Sequence, residues 1–249
     1  MATLPVSGAV FDFRDPDGVD DLILHETQGG PVQAGLALLA RLRLGGPEPA
    51  TLPVPDFEFL LLQVRARRLG PVMTLAFACP HCRALSEVEF RVADYVADAA
   101  PRPAPGVAPD PERPGWFRLG DAGFRLPTVA DQIEIEGHAR PVARLADLCL
   151  DKVDRSDRAR IERAMERMAP PLSREIAGCC AACGETVRAE VAVAPLVVAE
   201  LKRAAGAVHD EVDLIARAYH WPESQILALP QPRRRAYAER IRRAQLQAA

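Results

Sequence analysis

Two Cys-X-X-Cys pairs stand out by spacing: Cys79 and Cys82 in FACPHCRALSEVEFRV, and Cys180 and Cys183 in AGCCAACGETVRAEVAV. Such a pair serves either as a redox-active dithiol or as half of a zinc site. A redox pair needs its first sulfur at a helix N-terminus, where free N–H groups and the helix dipole stabilise the thiolate. The chain after Cys82 does not turn helical. From Ser86 to Val92 it alternates, with Val88, Phe90 and Val92 on one face and Glu87, Glu89 and Arg91 on the other, which is the period of a strand. Before Cys79, residues Met73, Leu75 and Phe77 alternate against Val72, Thr74 and Ala76. The first pair therefore belongs at a hairpin tip. Val187, Ala189, Val191 and Val193 repeat the alternation after the second pair, and Gly184 suits a knuckle whose backbone needs positive φ.

Two such knuckles make a zinc ribbon, in which four thiolates hold one tetrahedral Zn2+ at about 2.3 Å. The expected ligands are Cys79, Cys82, Cys180 and Cys183, with the metal structural. Other states of these thiols remain open at this stage: two unconnected reduced pairs, a disulfide arrangement, or catalytic redox work. Cys179 in place of Cys180 would leave Cys-X-X-X-Cys and ranks second. His81 could ligate in principle but reads as a solvent-facing turn residue, and Cys149 reads as a small core residue. The long separation of the two pairs means that any ribbon here carries a large insertion.

A chain of 249 residues with 49% hydrophobic side chains can bury a sizeable core, and with aromatics at 5% that core must rest on Ala, Leu and Val. The net charge of −3 points to no particular partner. No basic start followed by an apolar stretch opens the sequence and no apolar run reaches membrane-spanning length, so a soluble, cytoplasmic protein is expected. Paired knuckle cysteines fit a reducing compartment. Charge is uneven, however. Arg233, Arg234, Arg235, Arg240, Arg242 and Arg243 crowd the end of the chain against Glu239 alone. Such a run is a solvated helix face, a docking surface for an acidic protein patch, or a nucleic-acid contact.

The fold class these signals predict is α+β, mainly helical, with a small antiparallel zinc-ribbon-like β unit split by a long insertion. Residues 1–70 form an N-terminal helical region, irregular to about Gly30, with helices over Gln33 to Leu44 and Phe57 to Leu69, the latter capped by Asp56. Residues 71–96 and 172–194 form the split β unit. Between them, 97–171 is a Pro-rich linker and mixed insertion: Ala99 to Gly115 extended, two short strands over Trp116 to Leu126, a short helix capped by Thr128, and helices near Val142–Leu150 and Ser156–Met168. Residues 195–249 are helical, with Val208, Val212, Ile215 and Tyr219 on one stripe. Trp221-Pro222 breaks that helix, and a last helix opens at Pro232 with Tyr237 and Ile241 inward and the arginines outward. Tyr219, Trp221 and Tyr237 should form a small aromatic core.

Three features taken together resemble one family: DFEFLLLQVRARRLG running into the first knuckle, the split Cys pairs, and EVDLIARAYHWPESQILALPQPRRRAYAERI. They look like the phage T4-type baseplate hub assembly chaperones of tailed phages and phage-tail-like contractile injection systems. The resemblance covers roughly residues 20–95 and 175–245. It is most specific at Tyr219-His220-Trp221, Ile226 to Pro230, and Arg234-Arg235 with Tyr237; the insertion from about Ala97 to Pro171 has no counterpart. It implies a non-enzymatic assembly factor that binds baseplate hub proteins in the bacterial cytoplasm. Tyr219, Trp221, Arg233, Arg234, Arg235 and Tyr237 are then the expected partner-binding residues, with no small-molecule substrate and no membrane.

Rival functions make different demands. A permanent baseplate subunit differs from a chaperone only in residence. A DNA-binding zinc ribbon with a helix-turn-helix would want basic residues on Pro222 to Leu229, where the chain offers Glu223, Ser224 and Gln225. A hydrolase needs an open metal position and a general base. His25, His81, His138, His209 and His220 form no cluster in sequence, and neither a Gly-rich phosphate loop nor a Gly-X-Ser-X-Gly elbow occurs.

Overall fold

The computed structural model describes residues 1–248. In chain order the elements are β1 (Ala2–Thr3), β2 (Val10–Phe13), α1 (Gly18–Glu26), α2 (Pro31–Leu42), β3 (Arg43–Gly45), a 3-10 turn at Pro49–Thr51 and α3 (Val54–Leu69). There follow β4 (Val72–Ala78), β5 (Leu85–Arg91), α4 (Val92–Asp98), β6 (Val107–Pro109), β7 (Trp116–Leu119), β8 (Ala122–Arg125), α5 (Val129–Ile135), α6 (Pro141–Cys149) and β9 (Leu150–Asp151). The chain ends with α7 (Arg155–Met168), β10 (Arg174–Cys179), β11 (Thr186–Val191), α8 (Val193–Ala205), α9 (Val208–Tyr219), α10 (Glu223–Leu227) and α11 (Gln231–Ala248). The fold is α+β, with small antiparallel sheets. It divides into two units, one of Met1–Asp12 and Gly45–Val193, the other of Phe13–Leu44 with the chain from Ala194. The expected N-terminal region over 1–70 is thus shared between units.

In the first unit α3 carries Phe57, Leu60, Leu61, Leu62 and Val64, all fully buried. Asp56 is not its N-cap as expected. Pro53 holds that place, and the Asp56 carboxylate instead accepts from the Val6 and Ser7 amides at 2.8 and 3.0 Å, tying down the loop after β1. At the other end Arg65 donates to the carbonyls of Gly70 and Val72, both at 2.6 Å, which closes the helix and fastens the start of β4. The strands β4 and β5 form one two-stranded sheet, and β10 and β11 another.

The insertion is a packed module. The sheet β6-β7-β8-β9 lies with α7 over a core of Leu119, Ala122, Phe124, Ile161 and Ala164. The Pro-rich stretch expected to be an extended linker contains β6, paired with β7. Just beyond it, buried Asp110 accepts from the Glu112 amide at 3.0 Å and from Arg118 at 3.1 Å. Thr128 caps α5 as expected. Asp131 at the third helical position completes a capping box and takes Arg125 at 2.5 and 2.7 Å. The module is stitched to the start of α3 by Val54 N to Pro127 O at 3.2 Å and Val129 N to Leu52 O at 3.1 Å.

The second unit holds α1, α2, α9, α10 and α11, with α8 from Ala194. The segment to Gly30, expected to be irregular, contains α1, because Asp17 and Asp20 form a reciprocal capping box. Asp20 is fully buried and takes Arg14 at 2.7 and 2.8 Å and Arg41 at 2.9 Å. The next residue, Asp21, meets Arg234 of α11 at 2.5 Å, and the same guanidinium reaches Glu211 of α9 at 2.7 Å. Arg234 is 1% exposed, so it does not belong to the outward arginines or to a partner surface. Gly18 permits this junction: a Cβ there would lie 2.5 Å from Arg234 Nη1 and 2.8 Å from the Leu227 carbonyl.

Replacing Arg234 by Leu strands two buried carboxylates and should cost about 3–5 kcal/mol in urea unfolding, whereas Arg233→Gln and Arg235→Gln should change stability by less than about 0.5 kcal/mol. Equal midpoints for all three variants would contradict the buried ion-pair role.

Candidate metal centre

Each hairpin ends in the same turn. In the first, the Cys79 amide donates to Ala84 O at 2.9 Å, the Arg83 amide donates to Cys79 O at 2.9 Å, and Arg83 adopts φ of 62°. In the second, the Cys180 amide donates to Glu185 O at 2.9 Å, the Gly184 amide to Cys180 O at 2.8 Å, and Gly184 sits at φ of 75°. The expected positive φ at Gly184 is therefore present, and its counterpart is an arginine. Strand alternation is as the sequence predicts, with Met73, Leu75, Phe77, Val88, Phe90, Val187, Ala189 and Val191 on the less exposed faces.

The two tips meet at the sulfurs. Cys79, Cys82, Cys180 and Cys183 place their Sγ atoms all within 4.8 Å of one another, with Cys79–Cys183 and Cys82–Cys180 both at 3.8 Å. Sulfurs about 2.3 Å from a common centre in a tetrahedron would be about 3.8 Å apart, so these four could hold one metal ion. At such separations none is a disulfide, and all six cysteines are free. Cys79 and Cys180 are buried, whereas Cys82 and Cys183 are exposed, so the centre lies at the surface. Phe77 and Val187 pack beside Cys79 and Cys180. The Ser86 hydroxyl is 3.5 Å from Cys180 Sγ. That contact, with the amides of Cys183 and Ala182, pulls the Cys180 thiol below its ordinary value.

The hairpin bases are joined separately. The Tyr95 hydroxyl of α4 donates to the Leu172 carbonyl, and the Arg174 guanidinium lies 4.6 Å over the Tyr95 ring. The sulfurs thus tie the tips of two arms whose roots are already fixed.

Other candidates fall outside the cluster. Cys179 is exposed on the last position of β10, so the choice between it and Cys180 goes to Cys180. Cys149 is buried on α6, where desolvation pushes its thiol up to about 11. His81 is exposed, and no histidine joins a metal-ligating group among the described residues. Tyr219, Trp221 and Tyr237 do come together, with ring centroids 5.2 to 5.7 Å apart. Arg233 and Arg235 are exposed on α11, while Arg234 is not. Among the described residues no helix is long and apolar enough to cross a membrane. Comparison with protein-family models, curated proteins and solved structures gave no match.

Sequence reasoning missed Glu58. It lines a cavity of about 600 Å³ between α3, α5 and α7, together with Val54, Leu126, Gln132 and Met165. Its carboxylate accepts from the Ser173 hydroxyl at 2.5 Å and amide at 3.2 Å, and Ser173 Oγ accepts from the Val193 amide at 2.9 Å. The helical stripe around it signals only core, and the partner lies 115 positions away. Desolvation raises the Glu58 carboxyl above its ordinary value, although the Ser173 and Leu172 donors pull it down. A raised folded-state pKa favours the folded protein below the unfolded value of about 4.3, an increment lost as pH rises through the folded value. Urea unfolding of wild type and Glu58→Gln at pH values spanning that window should therefore show wild type losing ground to the variant as pH rises. A pH-independent difference would contradict it.

Proposed function

We propose that this chain is a non-enzymatic assembly factor for the baseplate hub of a phage tail or a phage-tail-like contractile injection system, with a structural zinc ion at its four cysteines. One observation carries the metal-clamped, non-catalytic part of this reading: four sulfurs from two distant hairpins converge at tetrahedral spacing. Four thiolates fill the coordination of Zn2+ and leave no position for substrate or activated water. The cysteines would supply all the ligands, with Cys79 and Cys82 from one knuckle of a zinc ribbon and Cys180 and Cys183 from the other. The metal would then rigidify a β unit that has little core of its own. Softness favours zinc over calcium or magnesium, which take oxygen ligands.

The hub as partner rests on the resemblance of the C-terminal block and of the helix leading into the first knuckle. The physical character of the chain supports binding rather than catalysis, since helices with exposed polar and basic faces suit docking to other proteins. On the nucleic-acid alternative, α10 spans only Glu223–Leu227 and carries no Lys or Arg to engage phosphate.

Protein purified without chelators should contain about one zinc per chain. Cys180→Ser and Cys79→Ser should lose it, while Cys179→Ser should keep it; full folding with no metal in the wild type would sink the zinc assignment. For the partner, the tagged chain should be captured from cells expressing the neighbouring tail-like genes, with mass spectrometry of soluble complexes and finished particles. Hub proteins in the soluble pool, with this chain missing from particles, are expected. Stoichiometric retention in particles would make it a permanent baseplate subunit, and absence of hub proteins from both would overturn the assignment.

A further inference from the structure

The inner stripe of α11 is Arg234, Ala238 and Ile241, all buried. Tyr237 sits at the edge of that stripe, half-buried, with its ring edge-on to Trp221 at 5.2 Å and to Tyr219 at 5.7 Å. Tyr219 and Trp221 stack at 5.2 Å, and Tyr219 is 37% exposed. A cluster with one side packed on Ile215, Ile226 and Ile241 therefore leaves aromatic surface open to solvent. Arg233 and Arg240, four residues before Tyr237 and three after it, share its helix face.

These arginines lack the acids that usually accompany a solvated helical face. Arg217 on α9 is held by Asp213 at 2.8 Å, and Arg158 on α7 by Glu162 at 2.9 Å. Of the exposed arginines on α11, only Arg243 has such a partner among the described residues, Glu239 at 3.6 Å. Arg233, Arg235, Arg240 and Arg242 are exposed and meet no carboxylate among the described residues. Like charges gathered on a helix without counter-charges cost stability. Arg, Trp and Tyr are also the side chains in which binding energy concentrates at protein interfaces.

We infer that Arg233, Tyr237 and Arg240, with Tyr219 and Trp221, form a docking surface for an extended acidic segment of a partner protein. The inference rests on the reading of this chain as a protein-binding factor, but not on the hub being the partner. Its geometry specifies the segment. Arg233 and Arg240 are seven helical steps apart, about 10 Å along the axis. Three residues of a polyproline II segment rise about 9 Å and return the side chain to the same face, so the fitting motif is Glu-X-X-Glu or its aspartate equivalent. The apolar residue between the carboxylates would lie over the Tyr237 and Trp221 rings. Arg234 contributes nothing to this surface, since its guanidinium is spent on Asp21 and Glu211.

A fluorescein-labelled peptide with the core Glu-Leu-Pro-Glu, titrated against the full zinc-loaded chain by fluorescence anisotropy, tests this. Binding should be saturable and should weaken at least about tenfold in the double variant Arg233→Gln, Arg240→Gln, as expected for close charge pairs. Arg242→Gln, on the far side of the helix from Tyr237, should leave it within about twofold. The same peptide with Gln for Glu should bind at least about tenfold more weakly. No binding, equal binding of the Gln peptide, or equal loss in Arg242→Gln would overturn the proposal. Preferential uptake of a 20-base-pair DNA duplex through the same arginines at about 150 mM salt would overturn it in favour of nucleic acid. Because the probe is synthetic, its failure bears on this surface alone, whereas a pull-down without hub proteins bears only on the partner's identity.

Discussion

Four cysteine sulfurs within 4.8 Å of one another set the constraint on which the first unit turns. As thiolates they would repel strongly at that spacing, a repulsion that a metal cation among them would relieve. The cluster also links residues 98 and 104 positions apart. A cross-link closing a loop of about 100 residues removes freedom from the unfolded chain worth about 4.7 kcal/mol in the chain-entropy account. Loop closure here is shared, however, because Tyr95, Leu172 and Arg174 already join the hairpin bases. A metal ion held there would therefore act chiefly on the arms between base and tip. It would hold two narrow two-stranded sheets, each marginal alone, in a fixed relation to each other.

The second unit is built around buried charge. Asp20 and Asp21 are consecutive on α1 and both fully buried, yet they serve different partners: Asp20 gathers Arg14 and Arg41, and Asp21 shares Arg234 with Glu211. A guanidinium has the planar fork for two carboxylates at once, which a lysine in its place would lack. Through Arg234 the chain near residue 21 is joined to its last helix, and the Gly18 contact with Leu227 needs the same close approach. The arginine run of α11 accordingly divides by function. One member is structural, and the others face water.

Local signals carried much of this into the sequence. Strand alternation placed both cysteine pairs at hairpin tips, and spacing alone selected Cys180 over its neighbour Cys179. The turn chemistry of Gly184, the cap at Thr128, the helices of the insertion and the joining of Tyr219, Trp221 and Tyr237 were legible for the same reason: each is set by residues close in sequence. What escaped depends on distant partners. Asp56 looks like an N-cap until the amides of Val6 and Ser7 claim it. Arg234 is indistinguishable from Arg233 and Arg235 until Asp21 is brought beside it, and Glu58 until Ser173 is. The helix α1 is a different case, because its capping box was written in DGVD, but the Pro, Gly and Asp around it read as turn formers. The proline-rich stretch before β7 reads as a linker in sequence, since its order comes from pairing with β7 and from the Asp110 contacts.

A closed, four-sulfur metal centre joining the two hairpins can be tested by X-ray absorption at the zinc edge of the purified protein. Four sulfur scatterers at about 2.3 Å are expected, with no nitrogen or oxygen in the first coordination sphere. A sphere containing water, histidine or carboxylate at about 2.0–2.2 Å would contradict it, because the site would then be open and its role would have to be reconsidered as catalytic.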